Sequence, residues 1–152
     1  MSERRVADEL EIRELVARYA DAVCRRDTDA WGSTWATDGV WAIVGQTPTG
    51  REAVVALWEQ LMGGMSQVVQ IPNEGMLQFD GDRARGRWYI TEYGQLATGA
   101  AMLTVGLYHD EYVQEDGAWR FGKRAFHSFY SGSPTLADDF HPLPAEFEDG
   151  VF

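Results

Sequence analysis

The sequence predicts an α+β fold in which three amino-terminal helices cover one face of a curved, mostly antiparallel sheet around a cavity. Three observations point there. Apolar residues in the first half recur at three- and four-residue steps, the spacing of one helix face. The second half alternates with the period of two that belongs to strands, punctuated by turn residues. The late strands carry large side chains on both faces: Trp119, Phe121, His127 and Phe129 alternate with Arg120, Gly122, Arg124, Phe126 and Ser128. A sheet with water on one side would not be built this way, so one face should meet the helices and the other a second subunit.

The elements follow in order. In ADELEIRELVARYADAVCRR, Ile12, Leu15, Val16, Tyr19, Val23 and Cys24 form one apolar stripe, with Glu11, Arg13, Glu14 and Arg18 on the wet side. Asp27 reads as the N-cap of a short second helix carrying Trp31 and Trp35 one turn apart. VWAIVG is a brief strand, QTPTG a turn, and REAVVALWEQLMGG a third helix stopped by its glycines, with Val54, Leu57, Trp58 and Leu61 on one side. SQVVQIPNEGMLQF is extended but interrupted at Pro72, a bulge or edge signal. FDGDR is a tight turn, and RARGRWYITEY, AMLTVGLYHDEYV and AWRFGKRAFHSFY are strands, the last two joined by QEDG. From Ser131 the chain is rich in proline, acid and phenylalanine, and should wrap over a surface of its own or a neighbouring subunit. With 152 residues, no repeat and no linker, the chain is expected to be one domain, its core over about residues 8–130.

Composition excludes several function classes. Thirteen basic against 24 acidic side chains give a net charge of −11, which repels phosphate backbones and anionic membranes. One cysteine cannot close an internal disulfide, and the three histidines show no metal-ligand spacing. There is no glycine-rich phosphate loop, no apolar run long enough to span a membrane and no apolar leader at the amino terminus. The expectation is a cytoplasmic protein without metal or cofactor, whose partner is a small hydrophobic molecule.

The order of helix, short helix, strand and a helix opening GREA, then four long strands ending in YHDEYVQEDGAWRFGKR, resembles the SnoaL-like branch of the nuclear-transport-factor-2-like superfamily over about residues 8–130. The resemblance implies a cone-shaped α+β barrel with a conical pocket. It is similar in this to scytalone dehydratase, bile acid 7α-dehydratase and hexachlorocyclohexane dehydrochlorinase, cofactor-free lyases that form trimers. Those enzymes pair an Asp on the first helix with a His on the first long strand. Here the two slots hold Cys24 and Gln70, and a glutamine amide cannot serve as a base. Other slots are filled: Glu92 falls where the bile acid enzyme resemblance places a catalytic Asp, Arg124 where the dehydrochlorinase resemblance places a pocket cation, Tyr108 on a pocket-facing aromatic or Asn position, and Trp41 on a pocket-lining tryptophan position.

Read from the residues themselves, Glu92 shares a strand face with Trp88 and Ile90, an apolar setting that would raise its pKa and suit an acid or base; the alternatives are a solvated strand end or an ion pair with Arg124. Arg124, beside Phe126, could hold an oxyanion or close a structural ion pair. Tyr108 could donate to a substrate oxygen or serve as an aromatic wall. Cys24 is either a pocket nucleophile or a small buried hydrophobe. Tyr19, Gln70 and Asn73 could line the pocket or position an oxygen of the substrate. His109 and His127 fall on the outward face unless a bulge reverses them. The resulting expectation is a cofactor-independent lyase or isomerase in which Glu92 moves a proton while Arg124 and Tyr108 or Gln70 stabilise charge on oxygen. The alternatives are a non-catalytic subunit of the ring-hydroxylating dioxygenase type and a polyketide-type cyclase.

Overall fold

The computed structural model describes residues 2–145. Helix α1 (Glu3–Arg25) begins at Ser2, whose hydroxyl accepts from the Arg5 amide at 3.2 Å, and ends at Arg26 in the left-handed region (φ 55°). Asp27 caps α2 (Thr28–Gly32), accepting from Ala30 N at 2.9 Å. That helix is one turn only: Trp35 opens strand β1 (Trp35–Ala42) instead of continuing it. Helix α3 (Arg51–Gly63) follows. Four long strands complete the chain: β2 (Met65–Asp80), β3 (Arg83–Leu96), β4 (Ala101–Glu115) and β5 (Ala118–Gly132).

The sheet order is β1-β5-β4-β3-β2, with β1 parallel to β5 and every other pair antiparallel. The helices lie on the concave side, giving the α+β cone expected. The core is unusually aromatic. Trp31 stacks on Trp58 at 4.8 Å between centroids, and Tyr19 meets Trp31, Trp35 and Phe121 at 5.3–6.4 Å.

Of the sheet's register shifts, three bear on which side chains face inward near the cavity. In β2 the register slips between Pro72 and Gly75, where the Trp88 side chain lies so close over Gly75 that no Cβ would fit. In β5 one slip lies between Phe121 and Lys123 and a second between Ser128 and Tyr130. Each reverses which residues face inward. Trp119 and Phe121 point into the core, as do Arg124 and Phe126 after the first slip. The strict alternation expected along this strand is therefore broken twice.

The outer sheet face carries exposed Val69, Ile71, Met76, Tyr89 and Tyr93. The chain after β5 turns back on its own sheet: Phe140 packs on Tyr130 at 4.8 Å, and His141 N donates to Phe129 O at 2.7 Å. The part of the expected wrapping tail beyond residue 145 lies outside the described residues. Among the described residues, no helix is long and apolar enough to cross a membrane.

Candidate active site

A cavity of about 550 Å³ opens between the concave face of the sheet and helices α1 and α3. Its wall is mostly apolar, from Trp41, Trp58, Met62 and Phe126 among others. Glu92 projects into it from β3. Its register neighbours are Gln70 on β2 and Thr104 on β4. Gln70 Nε2 donates to Glu92 Oε2 at 2.8 Å. Burial pushes the Glu92 carboxyl above the ordinary glutamate value, and the Gln70 hydrogen bond pulls it partly back. The carboxyl is thus a stronger base than a solvated one, held by an amide that cannot compete with it for a proton.

Gln70 is itself fixed from behind. Its backbone N–H donates to Cys24 Sγ at 3.3 Å, and its carbonyl lies 3.6 Å from that sulfur. Cys24 sits on the exposed flank of α1, at the seam with β2. This corrects the expectation of an inward-facing, pocket-lining cysteine: Ala20, Ala22 and Val23 are buried on that stretch of the helix, and Cys24 falls just past the buried arc.

The phenols of Tyr19 and Tyr108 meet at 3.4 Å in the cavity wall. Burial raises both, with the Arg124 charge working against it, so both hydroxyls stay protonated at neutral pH and can donate. The negative charge of Glu92 is felt at Tyr108 and adds to the upward shift.

Arg124 stands behind these rings, not in the cavity wall. Its guanidinium carbon lies 3.8 Å from the Tyr108 ring centroid, 4.3 Å from Tyr19 and 4.1 Å from Phe121. It donates to both Asp110 oxygens, at 2.8 and 3.1 Å. Tyr112 OH donates to Asp110 at 2.7 Å and accepts from Trp88 Nε1 at 2.7 Å. Burial opposes charge on both partners, yet three hydrogen bonds to Asp110 hold the carboxylate ionised and the pair is ionic. Arg124 therefore cannot grip a substrate oxygen directly. Nor does it pair with Glu92; its partner is Asp110.

Tyr19, Trp41, Gln70, Glu92, Tyr108 and Phe126 come together around the cavity as the sequence reading grouped them. Trp88 and Ile90 are buried core residues outside its wall. Asn73 points away, its Nδ2 donating to Tyr89 O at 3.3 Å; the slip at Pro72–Gly75 turns this segment outward. His127 borders the cavity, but its ring packs edge-on against Phe129 at 5.2 Å. His109 is buried on the outer face; desolvation, with the charges of Arg87 and His127 adding to it, lowers its pKa to about 4. The sequence reading missed Asp110 as the arginine's partner, and it missed Ser131 and Ser128 in the wall. Among the described residues, no group of three or more His, Cys, Asp or Glu could hold a metal ion.

Comparison with known proteins agrees with this architecture. Residues 4–125 match the SnoaL-like domain family. The chain belongs to that family. It is 28% identical to the gamma-hexachlorocyclohexane dehydrochlorinase of Sphingobium indicum over 124 residues, 79% of this chain and 80% of the relative. A crystal structure of LinA superposes with a TM-score of 0.80 at 27% identity, covering 91% of this chain and 97% of that one. A Novosphingobium aromaticivorans protein described as a scytalone dehydratase superposes at 0.82 over 94% of this chain and 97% of that one. At 15% identity it speaks for the shared fold alone.

Proposed function

We propose that this SnoaL-like protein is a cofactor-independent lyase that eliminates a leaving group from a small, largely apolar ring compound bearing a hydroxyl or carbonyl. The observation that carries the reading is the Glu92 carboxyl, desolvated inside an apolar cavity and held by Gln70 at 2.8 Å. The kinship with a dehydrochlorinase supports it. The carboxylate would take a proton from a carbon beside the substrate carbonyl. The electron pair of that C–H bond passes into an enolate on the carbonyl oxygen, which either takes the proton back at carbon or collapses to the new double bond as the neighbouring C–O bond breaks. The departing hydroxide takes the proton back from Glu92 and leaves as water. Tyr108 would donate a hydrogen bond to the carbonyl oxygen as charge develops there, with Tyr19 beside it and the Arg124 cation behind both rings. Arg124 acts in this scheme through Tyr19 and Tyr108. The same proton removal would open an isomerisation or an aldol closure, and analysis of the product distinguishes these outcomes.

The exposed apolar residues of the outer sheet face support a homo-oligomer in which this face meets a second copy; the preference for a trimer over a dimer rests on the resemblance to trimeric lyases alone.

Proton removal can be tested without knowing the natural substrate. Incubation with cyclic β-hydroxyketones in deuterium oxide should place deuterium at the carbon between carbonyl and carbinol. Glu92→Gln should slow this exchange at least about 100-fold, the range of general base catalysis. Exchange at the wild-type rate in Glu92→Gln would overturn the assignment.

A further inference from the structure

The proposed elimination uses Gln70, Glu92 and the tyrosine pair, and leaves a second polar group in the cavity wall without a role. Gln70, Glu92, Thr104 and Ser131 are register neighbours in sequence across four strands, one polar row. All four line the cavity. Thr104 is buried, while Ser131 lies at the exposed rim. Their hydroxyls are 3.1 Å apart. Two hydroxyls carry two hydrogens, and the bond between them consumes one. The pair therefore keeps one donor and several lone pairs for a third partner.

The backbone is shaped to produce this pair. Gly106 faces Ser128, and continuing that register would set Tyr130 opposite Thr104. The extra residue at Phe129 shifts the strand, so Ser131 takes that place and Tyr130 turns outward onto Phe140. A bulge that exchanges a bulky phenol for a small hydroxyl in a cavity wall re-aims a side chain at a defined spot. Leu96, Met65 and Met102 are among the apolar residues of the same wall.

We infer that Thr104 and Ser131 form a second polar subsite, which receives a second oxygen function of the substrate while the reacting carbon sits at Glu92. This rests on the elimination reading for the position of the reacting carbon. Neighbouring strands lie about 4.8 Å apart, so the subsite is one to two strand spacings, roughly 5–10 Å, from Glu92. A six-membered ring with oxygen functions at opposite ends spans that distance. The substrate class is thus a doubly oxygenated ring. A chlorine in place of the second oxygen would leave the hydroxyl pair unpaired on binding, and a site built to hydrogen-bond an oxygen discriminates strongly against an analogue without one.

The test is calorimetric binding of 4-hydroxyacetophenone, acetophenone and 4-chloroacetophenone to the wild-type protein, to Ser131→Ala and to Thr104→Val/Ser131→Ala. The wild type should bind the hydroxylated ketone at least tenfold more tightly than the other two. The double variant should bring that ratio close to one, with acetophenone affinity changed less than about twofold. The single rim variant should lie between, and being at an exposed position it keeps the test valid if the double variant unfolds. An unchanged ratio in Ser131→Ala, no preference in the wild type, or no binding of any of the three would each overturn the subsite. The same titrations on Glu92→Gln separate this claim from the catalytic one. Retained preference with lost deuterium exchange supports both, and preference without exchange in the wild type removes the elimination reading while the subsite stands.

Discussion

Glu92 sits where a carboxylate is costly. Its raised pKa means the folded protein disfavours the ionised form, so the sign of its contribution to stability is fixed. Between the unfolded value and the higher folded one, the native state binds more protons than the unfolded state, and stability falls as pH rises through that window. Thermal denaturation of the wild type from pH 4 to pH 8 should show this decline, and Glu92→Gln should flatten it and match or exceed the wild-type melting temperature at neutral pH. Activity has the opposite sign: a base must be ionised, so turnover should rise with pH around a midpoint above the ordinary glutamate value. Gln70→Leu removes the hydrogen bond that stabilises the anion and should move that midpoint higher. The inward placement of Glu92 was legible because a strand's period of two sets it on the inner face with Trp88 and Ile90, a parity the structure keeps. Cys24 was not, because helical stripes have soft edges and one residue past the buried arc is enough to reach solvent.

At the scale of the element, β5 holds both the arginine site and the serine site, and each depends on a bulge. Counting back through the hairpin turn at Asp116 and Gly117, both at positive φ, would set Arg124 opposite His109. The slip at Gly122 sets it opposite Asp110 instead. Gly122 is the one mark of that slip in the strand, and a strand glycine alone does not fix a register, so Asp110 could not be read from spacing as the arginine's partner. Arg124 and Asp110 are almost wholly excluded from solvent, at 1% and 0% side-chain exposure. Breaking such a pair from one side strands a buried charge at a cost of about 3–5 kcal/mol. Asp110→Leu and Arg124→Met should each destabilise by that order in urea unfolding, and Arg124→Met/Asp110→Leu should recover much of the loss. Full additivity of the two single variants would contradict a coupled pair. A Cβ at Gly106 would enter the Phe126 ring and lie 2.7 Å from His127 O. Gly106→Ala should therefore displace the Phe126 wall and weaken ligand binding along with stability.

Across the whole molecule, the order of elements and the α+β cone were readable, because helical and strand periods divide the chain cleanly and the turn residues mark their ends. The outer face was legible in part. Tyr89 and Tyr93 lie at 40% and 51% exposure beside Val69 and Ile71, an apolar surface that a monomer with a net charge of −11 has little reason to show. Sedimentation should find an oligomer, and Val69→Lys/Tyr93→Lys should shift it to monomer without loss of fold by circular dichroism; a wild-type monomer at micromolar concentration would contradict the proposed contact. The proposed chemistry depends above all on the desolvated Glu92 carboxyl in the cavity. Its most direct test is a carbon-13 NMR titration of the glutamate carboxyls, with the Glu92 resonance assigned by its loss in Glu92→Gln. The midpoint should lie clearly above that of the protein's solvated glutamates. A midpoint among them or below would mean that Glu92 is an ordinary solvated carboxylate, and the chemistry assigned to it would fall.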